Sequence, residues 1–155
     1  MIVPMTLGYA MQISAWTYEN EYSIYSFTQN ADTVNELMNG EYYAYLDQDN
    51  NLSGYFCFGK TARIPAIEED AYYSEILDIG LGRKPVLCGK GYGYFFVKAG
   101  LEFAQSNFNV RQIRLTVAEF NTRAIHVYEK IGFQYLSSVK HRKTQRKFQI
   151  MTYEY

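Results

Sequence analysis

Three glycines at alternate positions, in Gly89-Lys90-Gly91-Tyr92-Gly93, are the residues whose type and spacing point most directly to chemistry. Glycine lets successive backbone N–H groups converge, and a helix that begins at such a turn adds the partial positive charge of its dipole. That chemistry is anion binding. Two common phosphate signatures are excluded by the flanking residues. A Gly-x-x-x-x-Gly-Lys-Ser/Thr loop fails because Lys84 stands at its first glycine and Gly91 follows Lys90; a Gly-x-Gly-x-x-Gly turn fails because Tyr94 occupies its last glycine. ATP and NAD therefore lose their usual warrant.

The stretch from Leu81 to Phe96, with Pro85 three residues before Cys88, resembles the acyl-CoA loop of the GNAT superfamily of N-acyltransferases, written Arg/Gln-x-x-Gly-x-Gly/Ala. Gly91 and Gly93 match its two small positions; Cys88 stands where Arg or Gln is usual. A second segment, Asn121-Thr122-Arg123-Ala124-Ile125-His126-Val127-Tyr128-Glu129-Lys130-Ile131-Gly132-Phe133, is similar to the family's Asn-x-x-Ala-x-x-x-Tyr-Glu-Lys-x-Gly-Phe. The first half of the chain carries no motif of its own.

The resemblance implies an N-acetyltransferase in which a primary amine attacks the thioester of acetyl-CoA directly, without a covalent enzyme intermediate or a metal. Leu81, Gly82, Arg83, Cys88, Gly89, Lys90, Gly91, Tyr92, Gly93, Tyr94 and Asn121 are the implied contacts to the cosubstrate. Splaying of the strand that ends near Leu81 would free backbone N–H groups toward pantetheine and the acetyl carbonyl. Physically, an alkylamine of pKa about 10.4 must lose a proton, an oxyanion needs donors, and the leaving thiolate needs an acid. Tyr128 is the implied acid, since a phenol's pKa of about 10 lies close to that of a thiol; as part of an apolar stripe it is also a packing residue. Asp78 is the first choice of base, with Glu75 and Glu119 as alternatives; a structural carboxylate, ion-paired in a central strand, is an equally good account of Asp78. The other functional class left open is a catalytically silent acyl-CoA-binding sensor.

The elements that must position these residues follow from periodicity. Helices are expected over Tyr9–Tyr18 and over Asp32–Met38, the latter capped by Asp32, and strands over Tyr42–Leu46 and Leu52–Gly59 about an Asp/Asn-rich turn. A strand over Glu75–Leu81 leads to the glycine turn and to a helix over Tyr92–Gln105, with Phe96, Ala99, Phe103 and Ala104 on one face. Arg111–Val117 alternates as a strand, with Ile113, Leu115 and Val117 on one side. Asn121 caps a helix closed by Gly132, and strands over Phe133–Val139 and Phe148–Tyr153 flank the basic run from Lys140 to Lys147. The order predicts an α/β (α+β) domain over 1–155: a single mixed, mostly antiparallel sheet of six to seven strands flanked by helices.

Composition bounds the rest. The net charge of −1 removes the sequence-independent attraction to nucleic acid. No Lys or Arg precedes Lys60, while seven acids do, so an anionic ligand belongs to the later part of the chain. Cys57 and Cys88 make neither a disulfide framework nor a metal site. The start of the chain lacks the basic flank of a signal peptide, and a cytoplasmic protein without a membrane span is expected. The expected partner is a small-molecule or protein amine. The aromatic surface is compatible with a homodimer.

Overall fold

The structure is a computed structural model that describes residues 1–155. Its seven strands are β1 (Ile2–Pro4), β2 (Tyr42–Leu46), β3 (Leu52–Phe58), β4 (Leu77–Arg83), β5 (Gln112–Ala118), β6 (Gln134–Lys140) and β7 (Lys147–Glu154), and its helices are α1 (Leu7–Ser14), α2 (Ala31–Leu37), α3 (Gly93–Phe108) and α4 (Thr122–Ile131). The strands form one mixed sheet in the order β1-β2-β3-β4-β5-β7-β6, flanked by helices. The expected fold class holds, and β4 with β5 is its parallel pair. Packing divides the chain into two units, Met1–Cys57 with Leu81–Tyr92, and Phe58–Gly80 with Gly93–Tyr155.

In the first unit, β1, β2 and β3 pair antiparallel. The β2–β3 turn forms because the Asp47 carboxylate accepts the N–H groups of Asp49 and Asn51, both at 2.9 Å, and Asn50 adopts the left-handed φ of 62°. Strand β1, three residues long and ending in Pro4, was too short for alternation to reveal. Helix α1 is capped by Thr6, which accepts the Tyr9 N–H at 3.2 Å, and stops at Ser14, four residues before the expected end. Beyond it Trp16 turns inward against Tyr55, with ring centroids 6.2 Å apart. The cap of α2 is Asn30, whose Oδ1 accepts the Thr33 N–H at 2.9 Å; Asp32 instead occupies the first turn, where a carboxylate complements the dipole. Phe27 and Tyr42 complete the ring cluster about Tyr55, at 5.8 and 6.0 Å.

In the second unit, β5 pairs with β7 along its whole length and β7 with β6. Helix α3 buries Phe96, Val97, Gly100, Leu101 and Ala104, a stripe rotated from the expected one. Ala99 and Phe103 fall at its margin, where Phe103 stacks on Phe58 at 5.7 Å. The glycine inside the helix, Gly100, is buried. Helix α4 begins at Asn121, whose side chain accepts the Ala124 N–H at 3.2 Å, and ends at Gly132 with φ 125°, both as expected. The basic run is a β6–β7 hairpin that is tied down: Arg142 N–H donates to Pro65 O at 2.7 Å, and Ala66 bridges His141. No helix is long and apolar enough to cross a membrane.

Candidate active site

Strand β4 starts and ends two residues later than expected, so Gly82 and Arg83 join Leu81 inside it rather than lying beyond it. Their packing is set by two phenols. The Tyr18 hydroxyl donates to Arg83 O at 2.6 Å, and Tyr55 covers Gly82 so closely that a Cβ there would fall 2.6 Å from its hydroxyl oxygen, nearer still to ring carbons. A side chain at Gly82 would therefore have to displace the Tyr55 ring. Burial raises the Tyr18 and Tyr55 hydroxyls well above the ordinary phenol range, so both stay protonated.

A single helical turn, Pro85–Leu87, then delivers Cys88, whose thiol lies 3.8 and 3.7 Å from the carbonyls of Arg83 and Lys84. Gly89 and Gly91 take φ values of 72° and 84°, a region that favours glycine. A Cβ on Gly91 would meet nothing within 4 Å, so space is open at the turn and its glycine is demanded by conformation. Lys90, Gly91 and Tyr92 are exposed.

Gly93 opens α3, whose first-turn N–H groups have no carbonyl within the helix to bond. A side chain at Gly93 would make only ordinary contact with Val127, at 3.5 Å. Tyr94, in the first turn, carries the Lys130 ammonium over its ring at 5.6 Å. On α4, Tyr128 is buried and edge-on to Phe133 at 5.7 Å, and Phe133 continues to Tyr153 at 5.4 Å.

Strands β4 and β5 are in register over only two pairs, Leu77 with Ile113 and Asp78 with Arg114. From Ile79 onward β4 leaves β5, although β5 continues to Ala118. Backbone groups released in this way can meet a ligand instead of a strand.

Asp78 is 1% exposed, and both its oxygens are occupied. Arg114 donates through Nε to Oδ1 at 2.7 Å and through Nη2 to Oδ2 at 2.8 Å, while Arg63 donates through Nε to Oδ2 at 2.8 Å. Of the two accounts of this residue, the ion-paired carboxylate is the one the geometry favours. Glu75 and Glu119 are exposed. Arg63, Arg114, Tyr72 and Thr116 escaped sequence reasoning: Arg114 lies on the face opposite Ile113, Leu115 and Val117, which alternation left without a role, yet it is fully buried. A charged residue at the same place in two adjacent strands was the signal that could have paired it with Asp78.

The chain thus folds as a helix-flanked mixed sheet whose fourth strand is paired with the fifth over two residues and runs into a glycine turn. The chain belongs to the acetyltransferase (GNAT) family, whose model matches residues 8–133. Among solved structures it is similar to the GNAT-family acetyltransferase from Bacillus anthracis, with 21% identity, TM-score 0.73, and 99% of this chain and 93% of that one covered. It is also similar to a chimera of the spermidine N-acetyltransferase SpeG from Vibrio cholerae, with 19% identity, TM-score 0.71, and coverage of 99% and 95%. No curated protein matches the chain.

Proposed function

We propose that the protein transfers an acetyl group from acetyl-CoA to the nitrogen of a primary amine. The observation that carries this reading is the parting of β4 from β5 after Asp78, in a family of acetyltransferases, on the strand that leads to the glycine turn. The turn suits a pyrophosphate: two left-handed glycines, open space at Gly91, and a helix N-terminus directly after it. Arg83, Lys84 and Lys90 add positive charge to that stretch of chain. Backbone N–H groups at the end of β4 would face the thioester carbonyl and stabilise the oxyanion that develops on attack.

Tyr128 is assigned the protonation of the departing CoA thiolate, and Asn121 a contact to the cosubstrate alongside its capping role. Asp78 is left out of proton transfer, because its buried carboxylate faces three guanidinium N–H groups. The exposed Glu75 and Glu119 are the remaining carboxylate candidates for base.

The acceptor we favour is a small amine carrying more than one positive charge. Glu19, Glu21, Asp32 and Glu36 are exposed in a stretch that has no Lys or Arg, which attracts cations. The spermidine acetyltransferase neighbours are consistent with this choice.

The test is release of free CoA thiol from acetyl-CoA with a panel of amines, from polyamines to amino acids. Turnover that is greatest with polyamines, and that falls by about 10²-fold or more in Tyr128→Phe, supports the reading. Acetyl-CoA binding without thiol release for any amine would favour the sensor, the reading to which the Cys88 departure points.

A further inference from the structure

Asp78 and Arg114 are the last residues in register before β4 and β5 part. Because the strands are parallel neighbours, the two side chains lie on the same face, and they close a bidentate bond across the ladder. The Arg63 guanidinium takes the remaining side of the carboxylate. Both guanidiniums lie over the ring of Tyr72, 5.2 and 4.9 Å from its centroid. The Tyr72 hydroxyl accepts the Ile64 N–H at 3.2 Å and stands 2.7 Å from Thr116 Oγ1. Thr116 is the next β5 residue on this face beyond Arg114, already past the last pair. On its other side, the Asp78 carbonyl accepts the Gly59 N–H at 2.9 Å. Residue 78 is thus held from both edges of β4, and residue 79 is the first without a β5 partner.

Resting on the acetyltransferase reading above, we propose that this cluster is a lock that fixes where β4 and β5 part, and that Asp78, Arg114, Arg63 and Tyr72 are positioning residues for acyl transfer. Removing the carboxylate leaves the fully buried Arg114 guanidinium without its counter-charge, and the neighbouring strands must rearrange to relieve it. The register of the vertex determines which N–H groups of β4 are released from pairing, and hence where the thioester carbonyl is held. Loss of the lock misplaces the reacting carbonyl without removing any group that touches it.

Two variants separate this role from that of a base. In Asp78→Asn, kcat falls by about 10²-fold, the cost of a misplacement on the ångström scale, while the pH dependence of kcat keeps its wild-type shape. In Arg63→Met/Asp78→Leu/Arg114→Met, an apolar trio of similar volume closes the vertex without charge, an exchange that buried triads tolerate. The trio's kcat returns close to the wild-type value, again with the wild-type pH profile. A trio that binds acetyl-CoA like wild type but has lost kcat, with the acidic limb of the profile gone, overturns the lock and makes Asp78 the base. This second variant decides the matter even if Asp78→Asn does not fold. Calorimetric titration of wild type with acetyl-CoA comes first: no binding removes the acetyltransferase reading and the lock together. Binding by wild type, matched by a folded Asp78→Asn with unchanged kcat, removes the lock alone.

Discussion

Gly82 and Gly91 lie nine residues apart in the stretch to which the cosubstrate is assigned, and opposite physical demands fix them as glycine. At the end of β4, Gly82 has no left-handed φ, but Tyr55 fills the volume its Cβ would need. In the turn, Gly91 has open space where a Cβ would stand and a φ of 84°. The first position is closed and supports the strand; the second is open and shapes a surface. Strand end and turn therefore fail differently when altered, although both glycines fall in the stretch that resembles the acyl-CoA loop.

The largest effect is expected at the closed position. Gly82→Ala forces the Tyr55 ring out of its cluster and destabilises the fold by about 1–3 kcal/mol, the range for overpacking a filled site. Urea denaturation would measure it, and an unchanged midpoint would show that the strand end yields more easily than the packing implies. Gly91→Ala meets no neighbour and costs about 1–2 kcal/mol through its left-handed backbone. Its distinguishing sign is acetyl-CoA affinity that falls by more than the loss of stability accounts for.

The phenols that grip the strand end supply a smaller effect with a pH signature. Tyr18→Phe removes one hydrogen bond, worth about 1 kcal/mol. It also flattens the alkaline loss of stability. The Tyr18 hydroxyl is held up mainly by burial and then by the nearby Cys88, so the folded state keeps a proton that the unfolded state releases above about pH 10. The stability it contributes is present below that pH and declines as pH rises. Tyr155, pushed up to about 12 by burial and then by Tyr153, adds a decline between about 10 and about 12. Melting curves from pH 8 to 11 on the wild type and the Phe variants would resolve the two.

Gly93→Ala is the smallest change. Its Cβ would touch Val127 at an ordinary distance, and stability should move by no more than about 0.5 kcal/mol.

Legibility followed the range of the interactions involved. The α4 helix was readable at both ends because its cap bond spans three residues, Asn121 to Ala124, and its stop is the backbone of Gly132. The turn was readable for the same reason. The α2 cap was misplaced by two residues, because Asn30 and Asp32 are both good cap types and only the extended backbone of Asn30 separates them. Alternation found the Ile113, Leu115 and Val117 face of β5 but not that Arg114 is buried opposite it. The partner that permits this burial stands 36 residues away. Likewise, no local pattern reveals that Gly82 must accommodate Tyr55 or that Tyr18 bonds Arg83, 65 residues on. Asp78 was singled out as a charge needing a partner, and it found two, which moves it from candidate base to candidate support.

The most direct test of the central claim is the melting temperature of the wild type with acetyl-CoA, CoA, ATP and NAD. A ligand at about 100 times its Kd adds roughly 2.7 kcal/mol of stability. The account predicts a clear rise with acetyl-CoA and CoA, none with ATP or NAD, and loss of the rise in Gly91→Glu. No rise at millimolar acetyl-CoA, or an equal rise with ATP and NAD, would contradict it.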